Sequence, residues 1–271
     1  MMRALWSAAS GMIAQQTNVD TISHNLSNVN TVGYKTQKAE FKTLLYQDLQ
    51  ARTTTANGET KPTPAQVGLG TRVADINTYF TQGPLASSES NTDFAIDGRG
   101  FFAVLGDDGE TYYTRNGSFT WAIGPQGTTL CNQDGYPVLD STGKNIVIPN
   151  GVTSGNMVIS QDGSVGYKRA DGTYVAMNQT IGLYQFTNPA GLNKLSRSLY
   201  AVSDASGEAM NEATANGLTK SNVLQNYLEN SNVQVADEMV NLIIAQRAYE
   251  LNSKAIQASD EMLQQANSLR R

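Results

Sequence analysis

Residues 231–269 read SNVQVADEMVNLIIAQRAYELNSKAIQASDEMLQQANSL and contain neither proline nor glycine. Ser231 followed by Gln234 matches the capping box that begins many helices. Asp237 and Glu238 suit the positive end of a helix dipole, so the acidic residues agree with the same starting point. The stretch therefore predicts one helix, roughly 57 Å long at about 1.5 Å per residue.

This predicted helix carries apolar residues on two sides. The first series is Val235, Met239, Leu242, Tyr249, Ile256 and Leu263. The second series is Ile244, Ala248, Leu251, Ala255, Ala258, Met262 and Leu269. At about 100° per residue the two series lie nearly opposite each other. Both sides must then be covered, so the helix is either the centre of a bundle or a packing element between subunits. The alanines of the second series allow close approach.

A second helix is predicted at the amino terminus. Its apolar residues follow 3- and 4-residue steps or multiples of them and are Met2, Leu5, Ala9, Met12, Val19 and Leu26. The pattern predicts a helix to about Val29, roughly 40 Å long, with Gly33 as its stop. Arg3 and the apolar residues after it could also be a secretory signal, but the periodic pattern continues beyond the usual length of one. We therefore expect residues 1–29 in the mature protein.

The two helices predict an α+β fold in which the ends of the chain meet. We expect residues 1–34 and 231–271 to form a coiled-coil-like helical domain, because the amino-terminal helix can cover one side of the carboxy-terminal helix. An antiparallel all-β domain, residues 91–194, is inserted between them. Residues 35–90 and 195–230 are expected to form a mixed or extended connecting domain.

The β prediction depends on turn residues in the middle of the chain. Asp-Gly pairs at 108–109, 134–135, 162–163 and 171–172 separate short β-rich runs, which is a strong hairpin signal. All seven prolines lie between Pro62 and Pro189. Residues 53–68 are expected to be a long polar loop. Residues 39–49 fit either a helix or an extended segment.

Composition excludes several functions. The chain has a net charge of −5 and a pI near 4.9, which argues against nucleic acid as a partner. Cys131 is the only cysteine and His24 the only histidine, so the chain cannot form an internal disulfide or a His-rich metal site. We find no G-x-S-x-G motif and no other catalytic constellation. The sequence predicts no enzyme activity, no cofactor and no metal.

Residues 23–35, SHNLSNVNTVGYK, resemble the amino-terminal motif of the flagellar axial proteins (rod and hook), N-N-L-A-N-x-x-T-x-G-[FY]-K. The matching positions are Asn25, Leu26, Asn28, Thr31, Gly33, Tyr34 and Lys35. His24 and Ser27 depart from that motif, and Thr92 stands where an apolar residue is usual. Residues 228–263 are similar to the carboxy-terminal motif of the family. Five further blocks resemble blocks of the distal rod members of this family and occur in the same order along the chain. They are QVGLGTRV, FTQGPL, AIDGRGFFAV, YTRNGSF and FTNPAGL.

The resemblance implies a structural subunit that polymerises into the distal rod, the drive shaft between motor and hook. It implies a periplasm-spanning location in the basal body and passage through the flagellar type III export apparatus without a cleaved signal peptide. The implied partners are further copies of the chain, proximal rod proteins, the hook or hook-junction protein, the rod assembly cap and, where an outer membrane exists, the P- and L-ring proteins. The motif residues and the second apolar series are the candidate assembly residues.

Two other functions remain open. The chain could be a proximal rod protein or a short hook-like protein, although its length and the QVGLG and FTQGPL blocks favour the distal rod. A β-rich adhesin or fibre module with helical ends is the alternative from a different class of protein.

Overall fold

The computed structural model describes residues 2–50, 65–124, 127–148, 154–169, 172–196, 198–215 and 217–269. The chain forms two compact units. Unit 1 comprises Met1–Ser27, Gln37–Thr78 and Gln234–Arg271, and unit 2 comprises Asn28–Thr36 and Tyr79–Val233. The chain therefore passes between the two units four times.

Unit 1 contains two long helices, α1 (Met2–Ser27) and α2 (Val235–Ser268), which pack against each other. The predicted start of α2 is wrong. Gln234 is the N-cap residue, and its side chain makes no capping hydrogen bond. The Ser231 hydroxyl oxygen instead accepts a hydrogen bond from the backbone N–H of Val233 at 3.2 Å, because this serine closes a turn before the helix begins.

The inward side of α2 differs from the predicted first series. Val235, Met239 and Tyr249 are 41%, 52% and 42% exposed. The inward positions are instead the buried Glu238, Ala245 and Ser259 and the half-buried Leu242, Asn252, Ile256 and Leu263. Three of these seven are polar, so a search for apolar spacing finds only part of the face. Asn252 lies close to Gly11 of α1. A Cβ atom added to Gly11 would be 2.9 Å from the side-chain amide nitrogen of Asn252.

The rest of the described part of unit 1 forms two two-stranded antiparallel sheets. Their strands are β1 (Gln37–Thr43), β2 (Tyr46–Gln50), β3 (Ala65–Gly68) and β4 (Thr71–Thr78). β1 pairs with β4 and β2 with β3. Residues 39–49 are therefore largely extended, not helical. Of the loop predicted over residues 53–68, residues 53–64 lie outside the described residues, and Ala65–Gly68 is strand β3.

Unit 2 is built from short antiparallel strands. They are β5 (Leu85–Ser87), β6 (Phe94–Asp97), β7 (Phe101–Leu105), β8 (Thr111–Thr114), β9 (Phe119–Gly124), β10 (Gly127–Asn132), β11 (Val147–Ile148), β12 (Met157–Ile159), β13 (Ser164–Lys168), β14 (Tyr174–Thr180), β15 (Leu183–Gln185), β16 (Asn193–Lys194), β17 (Leu199–Ala201), β18 (Met210–Asn211), β19 (Asn222–Gln225) and β20 (Tyr227–Glu229). Single 3-10 turns occupy Ser154–Asn156 and Pro189–Gly191.

The strands of unit 2 form five sheets. The largest has the order β16-β17-β8-β7-β15-β18, and two three-stranded sheets have the orders β11-β10-β9 and β12-β13-β14. Two pairs, β19-β6 and β20-β5, bring the carboxy-terminal end of the unit back to its beginning. Hairpins with Asp-Gly turns join β7 to β8 and β12 to β13, as predicted. Asp171 of the fourth predicted turn lies outside the described residues.

Strand β7 is the centre of the core because both of its faces are buried. Phe102 and Val104 point into a large aliphatic cluster, whereas Phe101 and Ala103 point into an aromatic cluster on the other face. Alternation of neighbouring side chains between the two faces of a strand produces this division. Tyr113 belongs to the aromatic cluster, and burial raises its pKa to about 12.

The chain is thus a mixed α+β protein with two helices and many antiparallel strands in its described part. Neither of these helices is long and apolar enough to cross a membrane.

Candidate functional site

The motif asparagine Asn25 connects three elements of unit 1. Its side-chain nitrogen donates to the Gln37 carbonyl at 2.7 Å, and the Gln37 N–H donates to the Asn25 side-chain oxygen at 2.9 Å. The same Asn25 nitrogen lies 3.3 Å from a carboxylate oxygen of Glu238. A fully buried amide therefore joins the last turns of α1, the start of β1 and the first turn of α2.

The next motif residues form consecutive turns after α1. The Thr31 N–H donates to the Asn28 carbonyl at 3.1 Å, and the Thr31 hydroxyl donates to the Asn28 side-chain oxygen at 3.1 Å. The Tyr34 N–H then donates to the Thr31 carbonyl at 3.2 Å. Leu26 is half-buried on the last turn of α1. The motif thus forms a loop that brings the chain back to Asn25 at Gln37.

Gly33 is required for two reasons, neither of which is the predicted helix stop, since α1 already ends at Ser27. Its φ of +70° lies in the left-handed region, which favours glycine. A Cβ at this position would lie 2.7 Å from the carbonyl atoms of Arg115. The Gly33 N–H donates to the Glu229 carbonyl at 2.7 Å, so the close approach brings two distant segments together.

A charge cluster, formed by Lys35, Arg115 and Glu229, lies next to Gly33 inside unit 2. The Lys35 ammonium nitrogen is 2.5 Å from the Glu229 Oε1, and these two side chains are 0% and 1% exposed. The ammonium also donates to the Thr81 carbonyl at 2.8 Å, and the Gly83 N–H donates to the Glu229 Oε1 at 2.9 Å.

Arg115 is the second cation of the charge cluster. Its Nε is 3.7 Å from the Glu229 Oε2, and its Nη2 donates to the Gly98 carbonyl at 2.8 Å. The guanidinium carbon lies 5.5 Å from the ring centre of Phe101, at cation–π distance. Burial lowers the pKa of Arg115, an effect that the charges of Glu229 and the buried Glu212 oppose.

Burial also lowers the pKa of Lys35, and the neighbouring Glu229 opposes that shift. Removing any charge from such a cluster leaves the remaining buried charges uncompensated, which is strongly unfavourable. The charge cluster itself carries two positive charges and one negative charge, all on buried side chains. The buried Glu212 lies near enough for its charge to act on Arg115.

Asn232 makes a second set of connections beside the charge cluster. Its side-chain oxygen accepts hydrogen bonds from the Thr36 N–H and hydroxyl, both at 2.7 Å. Its side-chain nitrogen donates to the Thr81 hydroxyl at 2.8 Å and to the Tyr79 carbonyl at 3.0 Å. The residue therefore uses both ends of its amide to join three separate stretches of chain.

The second apolar series of α2 is largely exposed within the single chain. Ile244, Leu251 and Met262 are 61%, 65% and 48% exposed. Ala255 and Ala258 are also exposed, whereas Ala248 is half-buried. We call the side formed by these six residues the exposed apolar face. Exposed apolar residues aligned along one side of a helix favour contact with another surface.

Sequence reasoning missed Arg115, Glu229 and Asn232 as candidate residues. A signal was present, because Arg115 lies in the YTRNGSF block and the other two lie in LENSN at the start of the carboxy-terminal motif. Among the residues described, no cluster of His, Cys, Asp and Glu could hold a metal ion. The site consists of structural connections and an uncovered helix face.

Comparison with known proteins agrees with this kind of site. Residues 5–35 match the family described as flagella basal body rod protein, and residues 224–269 match the carboxy-terminal family of the flagellar basal body rod FlgEFG proteins. Residues 95–167 match the D1 domain of the flagellar hook protein FlgE/F/G.

Three relatives are similar over nearly their whole length, and each is named flagellar basal-body rod protein FlgG. The chain is 44% identical to that of Borreliella burgdorferi over 100% of both chains. It is 40% identical to those of Buchnera aphidicola subsp. Schizaphis graminum and Caulobacter vibrioides, over 99% of this chain and 100% of each relative.

The fold and the site define a structural protein in which helices near the two ends of the chain pack against each other. The chain belongs to the flagellar basal-body rod protein family, and it is a structural subunit of the flagellar basal body rod.

Proposed function

We propose that copies of this chain polymerise into the distal rod, which transmits motor torque to the hook. The observation that carries the proposal is the exposed apolar face of α2. A rod subunit with such a face needs neighbours to cover it, and each fully buried Leu, Ile or Met contributes about 1.5–3 kcal/mol. Repeated over many subunits, these contacts stabilise a tube without covalent links.

The helix pair supports a coiled-coil-like arrangement in the polymer. Leu242, Ile256 and Leu263 face inward on α2, while the exposed apolar face stays available for adjacent subunits. Packed long helices resist bending because a displacement disturbs many close contacts together. Resistance to bending is the property that a drive shaft requires.

The same proposal defines the partners and the location. Proximal rod proteins, the hook or hook-junction protein and the rod assembly cap are the expected neighbours. The P- and L-ring proteins join them where an outer membrane is present. The subunit is expected to reach the periplasm-spanning rod through the flagellar type III export apparatus without a cleaved signal peptide.

Electron microscopy of the purified full chain under polymerising conditions tests this function. We expect tubes, because each subunit offers the same uncovered face to its neighbours. We expect these tubes to be straight, because packed long helices resist bending. Uniformly curved tubes would assign the chain to a hook-like role. Chains that stay monomeric at every concentration and salt condition would contradict the polymer and favour an adhesin or fibre module.

A further inference from the structure

All four passages of the chain between the two units begin or end in three segments of unit 2. The first segment is residues 28–36, the second is residues 79–84, and the third is residues 229–233. These segments are far apart in sequence. Within unit 2, each of them is bonded to the other two.

Side chains make many of these connections. Lys35 of the first segment is paired with Glu229 of the third, and both bond to the second, at the Thr81 carbonyl and at the Gly83 N–H respectively. Asn232 of the third segment repeats the pattern, with hydrogen bonds to the first and second segments.

Backbone contacts complete the arrangement. The Tyr79 N–H donates to the Thr36 carbonyl at 2.9 Å, and the Asn230 N–H donates to the Pro84 carbonyl at 3.0 Å. Gly83 is essential for that proximity, since a Cβ there would overlap the Asn230 carbonyl oxygen. The three segments therefore have little freedom to move separately.

We propose that the charge cluster and Asn232 form a lock that makes the three segments behave as one rigid element. The lock holds the ends of the three segments, at which the chain leaves unit 2, at fixed positions within that unit. A force applied to one of these ends is then shared by the others. The use of the lock in transmitting torque rests on the proposed function, whereas its existence in the single chain does not.

The physical reason for joint opening is the burial of the charges. If one segment detached, the Lys35 ammonium or the Glu229 carboxylate would lose its partner in a region that excludes water. Detaching one segment would therefore cost nearly as much free energy as detaching all three. The segments are consequently expected to open together, as one cooperative unit of local unfolding.

Hydrogen exchange of the full chain, measured as a monomer, tests the lock. In Lys35→Met we expect amides in all three segments to exchange at least about tenfold faster, as loss of one partner of a buried pair implies. Strand β7 is expected to keep its protection because its core contacts are unchanged. Lys168→Met, which removes an exposed lysine of the same unit, is the matched control and is expected to change none of the segments.

Asn232→Ser provides an independent variant that leaves the three charges in place and carries the test if Lys35→Met does not fold. It is expected to accelerate exchange in the same three segments. The lock is refuted if either variant affects only amides beside the substituted residue, or if the three segments of the unmodified chain exchange at unrelated rates. These measurements need no tubes, so a failure to polymerise would contradict the proposed function while leaving the lock intact.

Discussion

At the scale of single residues, Gly33 combines an unusual backbone angle with a close contact. Gly33→Ala places a methyl group at φ +70° and against the Arg115 carbonyl. We expect it to lower the free energy of unfolding by about 1–3 kcal/mol, measured by urea denaturation of the full chain. Gly109→Ala is the matched control, since Gly109 has φ +78° with no described atom near the added methyl.

Gly109→Ala should lower the free energy of unfolding only by the part that comes from the positive φ. A Gly33→Ala variant no less stable than Gly109→Ala would mean that the Arg115 carbonyl moves away easily and that the contact is unimportant.

The same residues show how far a single sequence can lead. The resemblance selected Gly33 and Lys35, but nothing in the sequence identified their partners. Lys35 and Glu229 are 194 positions apart, and pairing over that distance depends on the complete fold. Spacing rules report neighbours within one helix or hairpin, so they cannot detect a buried charge pair of this kind.

At the scale of elements, the two sides of α2 predict opposite consequences for a new charge. Ala258→Glu falls on the exposed apolar face, where the added carboxylate stays in water in the free subunit. We expect unchanged expression and an unchanged thermal melt, but loss of tube formation, because the polymer would bury an unpaired charge. Gln257→Glu adds the same charge one residue away, at an exposed polar position, and serves as the control.

Ile256→Glu completes this comparison because Ile256 is on the inward side of α2. It is expected to weaken the helix pair already in the free subunit, which circular dichroism during heating would reveal. Normal tubes from Ala258→Glu would show that this alanine faces solvent in the polymer and would move the assembly contact elsewhere.

The elements also differ in how well the sequence predicts them. Both helices and the Asp-Gly hairpins follow from periodicity and turn chemistry, which are local properties. The fate of residues 39–49 stayed open since β1 and β2 are mostly exposed and lack a clear apolar alternation. The inward face of α2 was found only in part because Glu238, Asn252 and Ser259 are polar.

At the scale of the whole molecule, the β-rich unit closes on itself through strands near its carboxy-terminal end. β17 pairs with β8, and β19 pairs with β6. Leu199 and Val223 from these two strands are buried in the same aliphatic cluster as Phe102. The inserted domain predicted over residues 91–194 contains neither strand. Either the core is complete within residues 91–194, or it needs both of these later strands.

Two fragments distinguish these possibilities. Residues 79–233 retain every strand of unit 2 but lack Lys35. We expect one sharp thermal transition, at a lower temperature than that of unit 2 in the full chain, because Glu229 loses its buried partner. Residues 91–194 lose Leu199 and Val223 from the aliphatic cluster, at about 1.5–3 kcal/mol each, and leave β6 and β8 with unpaired edges. We therefore expect a broad, non-cooperative melt for the shorter fragment in calorimetry. If both fragments melt sharply at the same temperature, the core of the unit is complete within residues 91–194, and the later strands only cover its edge.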